Sequence, residues 1–220
     1  MNQPILLEES TPFKLSRVLE RLMTSLPRNA SHHDHLMAAL IVLLAEAGFW
    51  PYEMTVDNTV KRWHTDLLKI PEKLKTEDGI YRMKLSLPIL PHKVCKLIAI
   101  PTGDVLVVNL IPPSENVTTG YNMAIQTLKY FNPHSSDLAG RYINLKELSF
   151  RFKDGLTTPL RTDLLQDEGI INPSLQGLPV EIKLHILKML PIRTVRRIGE
   201  CNRELYSLSK APEIRRYFKT

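Results

Sequence analysis

Near the start of the chain, His32, His33, Asp34 and His35 bring together side-chain types that bind divalent metals. His32 and His35 are about one helical turn apart and could share a face, but neighbouring positions at a helix start fan outward. No distant His, Cys or carboxylate cluster completes a ligand set. An exposed, capped helix terminus with no metal is the expectation. His64 stands beside Trp63, where a general base could sit, yet no Ser-His-Asp motif, nucleophile elbow, glycine-rich phosphate loop or zinc-ligand spacing accompanies it. Cys95 and Cys201 are far apart, without a CxxC pair, and read as reduced structural thiols. The chain is therefore expected to be non-catalytic, with no catalytic residue, metal or cofactor.

Charge is more informative. The 220 residues carry a net charge of +6, and ten Lys or Arg against four Asp or Glu fall between Leu178 and Thr220, so the whole excess lies in the last fifth of the chain. A basic segment can meet nucleic acid, a membrane surface or an acidic protein. Arg193, Arg196 and Arg197 could reach phosphates, and a basic nucleic-acid-binding protein dimerised through its N-terminal domain is the alternative reading. Against it, Arg203 to Lys210, the segment that would read a groove, offers few base-reading side chains. No nucleic-acid partner is therefore expected. Nor is a membrane partner: no run of eighteen apolar residues occurs, and MNQPILLEESTPF has neither a basic start nor a long apolar stretch. A cytoplasmic location follows, with the nucleus also open.

The elements that would position these residues come in two groups. Thr11-Pro12 reads as a cap and first turn, and Leu15, Val18, Leu19, Leu22, Met23 and Leu26 recur at helical spacing up to Pro27. Ser31 and Asp34 form a capping-box-like pair ahead of a second helix, about His32 to Ala47, which is apolar almost all round and hence central. Phe49 to Lys75 reads as a long connection with one short helix around Trp63. The apolar period then becomes two: Tyr81, Met83, Leu85 and Leu87 alternate with polar residues, KVCKLIAI and VLVVNLI flank Pro101-Thr102-Gly103-Asp104, and Tyr121 to Phe131 follows as a weaker strand. Such tight turns demand an antiparallel sheet. Asn144 and Glu147 open a third long helix that stops at Gly155. If helices cover one sheet face, apolar residues of the other, among Val105, Val107 and Leu110, become candidates for partner contact. Residues 1–165 are thus expected to form an α+β domain and 166–177 a linker.

From Leu178 the chain returns to helices: Val180 to Leu190, about Thr194 to Gly199, and about Arg203 to Lys210. A small all-α module like this has little interior. Yet at about 100° per residue GLPVEIKLHILKML carries two apolar stripes, Ile182, Ile186, Met189 and Leu190 in one, Val180, Leu184 and Leu187 in the other. A core asks for one stripe. The second, Val180, Leu184 and Leu187, is expected to pack on another protein, with docking on the N-terminal domain as the competing account.

The segment LPVEIKLHILKMLPIRTVRRIGECNRELYSLSKAP resembles an F-box: Leu178-Pro179 with Glu181-Ile182, then Ile186-Leu187, Leu190, Val195, Asn202-Arg203 and Leu205 fall in that family's order. The resemblance implies docking on the Skp adaptor of a cullin ligase scaffold, with Leu178, Pro179, Ile182, Ile186, Leu187 and Leu190 as adaptor-binding residues. Arg215 stands where many F-boxes have an aromatic residue. LMAALIVLLAEAGF, DGIYRMKLSL with KVCKLIAIPTGDVLVVNL, and LKELSFRFKDGL resemble the FP domain, shared by one F-box subfamily and a proteasome regulator. That likeness implies an FP-like dimerisation or partner-binding domain over 1–165, pairing with itself or with an FP-domain proteasome regulator, followed by an F-box over 178–220. The chain as a whole would then be a substrate-receptor or adaptor subunit of a Skp-cullin-F-box ubiquitin ligase.

Overall fold

The period-two alternation that begins at Tyr81 builds an antiparallel sheet. In the computed structural model, which describes residues 3–56, 68–113, 120–170 and 175–218, five strands lie side by side in chain order. They are β1 (Trp50–Pro51), β2 (Tyr81–Leu87), β3 (Leu90–Thr102), β4 (Val105–Ile111) and β5 (Tyr121–Gln126). Every neighbouring pair is antiparallel. Gly103, at φ +60°, gives the two-residue turn between β3 and β4 its left-handed backbone. With helices before, between and after these strands, the chain is α+β.

Alternation decides which sheet face is dry. Met83, Leu97, Leu106, Val108 and Leu110 are buried on one side, while Arg82, Lys84, Lys96 and Ile100 are exposed on the other. The buried side is served by α2 (His32–Glu46), on which α1 (Arg17–Thr24) packs. Every residue of α2 from Leu36 to Ala45 is buried, the central placement its all-round apolarity predicts. Its start carries the expected capping box, in which the Ser31 N–H donates to Asp34 and the Asp34 N–H donates to the Ser31 hydroxyl.

Three local expectations are corrected, and a fourth falls partly outside the described residues. Helix α1 starts at Arg17, because Thr11 and Lys14 exchange backbone hydrogen bonds of 2.9 and 3.1 Å and close a turn ahead of it. Between α2 and β2 the chain forms β1 and a short helix α3 (Tyr52–Val56); the helix expected around Trp63 lies outside the described residues. Asn144 sits at φ +54° and its side-chain amide donates to the Lys129 carbonyl, so it does not cap α4 (Leu145–Phe152) with its side chain. Nor does Gly155 stop that helix: a wider π turn, Lys153–Thr157, carries it into α5 (Thr158–Asp167). This turn packs against β5, where a Cβ at Gly155 would come within 2.7 Å of the Met123 Cε, a flexible side-chain end that can shift.

The chain divides into two compact units, Met1–Leu164 and Leu165–Thr220. Among its described residues, the second has four helices after a short turn at Leu175–Gly177: α6 (Val180–Lys188), α7 (Ile192–Gly199), α8 (Arg203–Ser209) and α9 (Pro212–Tyr217). The fourth was not expected, because Pro212 reads as a breaker when it opens a helix. Leu187, Val195, Leu205, Leu208 and Ile214 form the core of this unit.

Candidate functional site

Helix α6 starts where Pro179, with φ −54° and ψ 149°, sets an extended entry that the helix then follows. Its inner side is built on Lys183, Leu184, Leu187 and Leu190: Leu187 is 1% exposed, and Leu184 and Leu190 pack against the same core. Lys183 shares that interior, with its stem enclosed and its ammonium donating to Glu204 on α8. An enclosed ammonium without a carboxylate would be costly, so this pair fixes which way α6 faces.

The assignment of stripes is therefore corrected. Leu184 and Leu187 belong to the interior, drawn there by α8 and the unforeseen α9, and Ile182 and Met189 of the other stripe face water at 47% and 74% exposure. Leu178, Val180 and Ile192 are exposed as well, and Ile186 is half-buried. Of the six residues implied as adaptor contacts, Leu178, Pro179 and Ile182 lie on this open face, Ile186 borders it, Leu190 turns inward, and Leu187 is core. Met189 was missed, although the wheel places it beside Ile182; Val180, assigned to the partner-facing stripe, is exposed as that stripe required, while its stripe neighbours Leu184 and Leu187 turn inward. The result is an apolar face on a unit whose core is already closed. Complete burial of a large aliphatic side chain is worth about 1.5–3 kcal/mol, and each of these partly exposed residues leaves a share of that for a partner to supply.

In the first unit, Val105 and Val107 are half-buried on the open sheet face, whereas Leu110 is fully buried on the other. Leu110 is thus corrected to core: it lies an odd number of residues from both valines, and strand residues alternate faces. The histidines do not converge. The His33 Nε2–H donates to the Gly103 carbonyl at 2.9 Å, its Nδ1 lies 2.9 Å from the Thr127 hydroxyl, and burial lowers its pKa. His35 stacks on Phe131 at 4.4 Å and is likewise lowered by burial. Among the described residues no group of three His, Cys, Asp or Glu is placed to hold a metal. Cys95 is buried, and burial pushes its thiol up to about 12; Cys201 is exposed.

No family model matches the chain. Individual proteins do. It is 27% identical to human F-box only protein 7 over 229 aligned positions, 98% of this chain and 40% of that protein. With the Drosophila melanogaster protein Nutcracker it shares 25% identity over 97% of this chain and 77% of the fly protein. The chain is a relative of both. Bovine F-box only protein 7 matches at 24% over 92% of the chain. The chain spans two fifths of the human protein's length, and the match covers the α+β unit as well as the helical one. The α+β fold agrees with the FP-like reading of the N-terminal unit.

Proposed function

We propose that the chain is a non-catalytic subunit of a Skp-cullin-F-box ubiquitin ligase, with residues 178–220 acting as the F-box and the α+β unit recruiting a partner. The observation that carries this reading is the exposed apolar side of α6 at Ile182 and Met189, bordered by Ile186 and entered through the exposed Leu178 and Pro179, on a unit with its own core. The likeness to F-box only protein 7 and Nutcracker supports it. Catalysis would then come from proximity: an acceptor lysine held near a charged conjugating enzyme gains effective concentration, and no catalytic side chain is needed here. Such a subunit works in the cytoplasm, with the nucleus also open to it.

For the α+β unit we infer pairing with a second copy or with an FP-domain proteasome regulator. The half-buried Val105 and Val107, beside the exposed Ile100 paired with Val107, support contact through the open sheet face. Nucleic-acid binding is the competing account, favoured by the exposure of Arg193, Arg196 and Arg197.

A pull-down with purified Skp adaptor tests the main reading. Replacing Ile182 and Met189 by Glu should reduce adaptor recovery at least about tenfold without unfolding the unit, since both side chains already face water. Reversing Arg193, Arg196 and Arg197 should leave recovery within about threefold. Unchanged recovery in the first variant, or abolition by the second alone, would refute the docking face.

A further inference from the structure

The first unit contains a cavity of about 900 Å³ on the polar side of β2 and β3. Its floor includes Arg82, Lys84, Lys96 and Ile98, and its walls are α3 and the segment Lys69–Lys73. Helix α3 is held beside this face by a buried 2.7 Å hydrogen bond between the hydroxyls of Thr55 and Ser86. One wall of the hollow is thus anchored to its floor.

Its charge is concentrated. Among the described residues, Lys69, Lys73, Arg82, Lys84 and Lys96 line it against Glu53 and Glu72, although residues 1–177 as a whole carry nineteen basic and nineteen acidic side chains. Lys84 and Lys96 are directly opposite in the β2–β3 register, and Arg82 lies two residues from Lys84 on the same face. Like charges placed opposite one another weaken a sheet. Among the described residues, no ion pair joins any of the five cations to a carboxylate. A solvated basic surface spreads its charges apart; here they converge inside a concavity, where the low-dielectric walls focus the field.

We infer that this cavity receives an acidic, partly apolar segment of a partner protein, its carboxylates set against Arg82, Lys84 and Lys96 and its apolar side chains against Met54, Ile70 and Ile98. The volume lies in the range of single-ligand pockets and suits a few residues of chain. A nucleic acid strand fits less well. Strand binding uses an extended basic groove with successive stacking rings, and among the described residues Tyr52 is the one aromatic side chain in this lining. The inference is independent of adaptor docking, since every residue belongs to the first unit.

Fluorescence anisotropy on the full chain tests it with a fluorescein-labelled octapeptide of alternating Glu and Leu, the same peptide with Gln for Glu, and an eight-nucleotide oligothymidine. The Glu-Leu peptide should bind saturably, at least about tenfold tighter than the Gln-Leu peptide, and weaken as salt rises. The variant Lys96→Glu separates recognition from folding. It converts the Lys84–Lys96 pair into an attractive one, so its melting temperature should hold or rise while peptide affinity falls about tenfold. Lys84→Gln should weaken the peptide in the same direction by removing one charge. Adaptor recovery should stay unchanged in both variants. Absence of saturable Glu-Leu binding, affinity indifferent to Lys96→Glu and Lys84→Gln, or tighter binding of oligothymidine would each overturn the inference.

Discussion

Ile182 and Leu187 are five residues apart on one helix, and their surroundings differ enough to set opposite expectations. Leu187→Ala removes a side chain that is 1% exposed and touches the core of the smaller unit, so it should cost about 2–5 kcal/mol. Ile182→Ala should stay below about 1 kcal/mol, because that side chain is 47% exposed. Urea denaturation of the two variants checks the contrast; equal losses would mean that both stripes are interior. The existence of two stripes was legible in the residue spacing, but their sides were not. A helical wheel carries no information about neighbours, and the enclosed Lys183–Glu204 pair makes a lysine part of the inner face. The parity of Leu110 against Val105 and Val107, by contrast, was available from the strand period alone. His33 yields a second prediction at this scale. Burial lowers its folded pKa below the ordinary 6.5, so the unfolded chain binds more protons just below that pH. Stability from His33 is therefore complete above about pH 6.5 and declines as pH falls through the lowered folded value. His35 adds to the same slope. Replacing His33 by Gln should flatten the urea midpoint between pH 7 and 5 relative to the parent, and an unchanged slope would contradict the burial account.

Between elements, Asp34 is the joint that connects α2 to β2. Burial alone would raise its pKa, but hydrogen bonds from the Tyr81 hydroxyl at 2.6 Å, from Ser31 and from Lys75 outweigh it and bring the carboxyl down to about 2. Stability stored in this joint is present above the ordinary 3.8 and is lost as pH falls from there through about 2. Asp34→Ala should cost about 3 kcal/mol at neutral pH, combining a lost cap with lost charge-assisted bonds, and its acid-induced loss of circular dichroism should be less steep than that of the parent below pH 4. The capping box, α2, and strands β2, β3 and β4 could be foreseen because each has a local signature: a paired cap, a sustained apolar period, or a Gly-Asp turn between alternating runs. Elements fixed by tertiary contact could not. Trp50–Pro51 is too short to show a period and is a strand only because Trp50 pairs with Ser86. Gly155 looks like a stop, yet the turn around it closes on β5, an encounter invisible before folding. In the smaller unit, the Asn202 side chain accepts the Leu205 N–H at 2.8 Å and caps α8. Its position in the F-box pattern thus has a structural cause, and Asn202→Ala should lower that unit's stability by about 1 kcal/mol, measured by urea denaturation.

At the scale of the whole molecule, the two units have unequal means of staying folded. Residues 1–164 bury a five-stranded sheet face and a fully enclosed helix, whereas Leu165–Thr220 closes around Leu187, Val195, Leu205, Leu208 and Ile214. Domains of that smaller size are marginal on hydrophobic burial alone and commonly draw on a partner. If the open face of α6 is a docking face, a ligand that binds only the folded unit should stabilise it by about 2.7 kcal/mol at a hundredfold excess over the dissociation constant. That gain is local. Hydrogen exchange of the full chain should therefore show α6 to α9 exchanging faster than α2 and β3 in the free protein. Saturating Skp adaptor should slow exchange in α6 and its entry at Leu178 while leaving β4 unchanged. Slowing in β4 with none in α6 would place the adaptor on the open sheet face and leave Ile182 and Met189 unexplained.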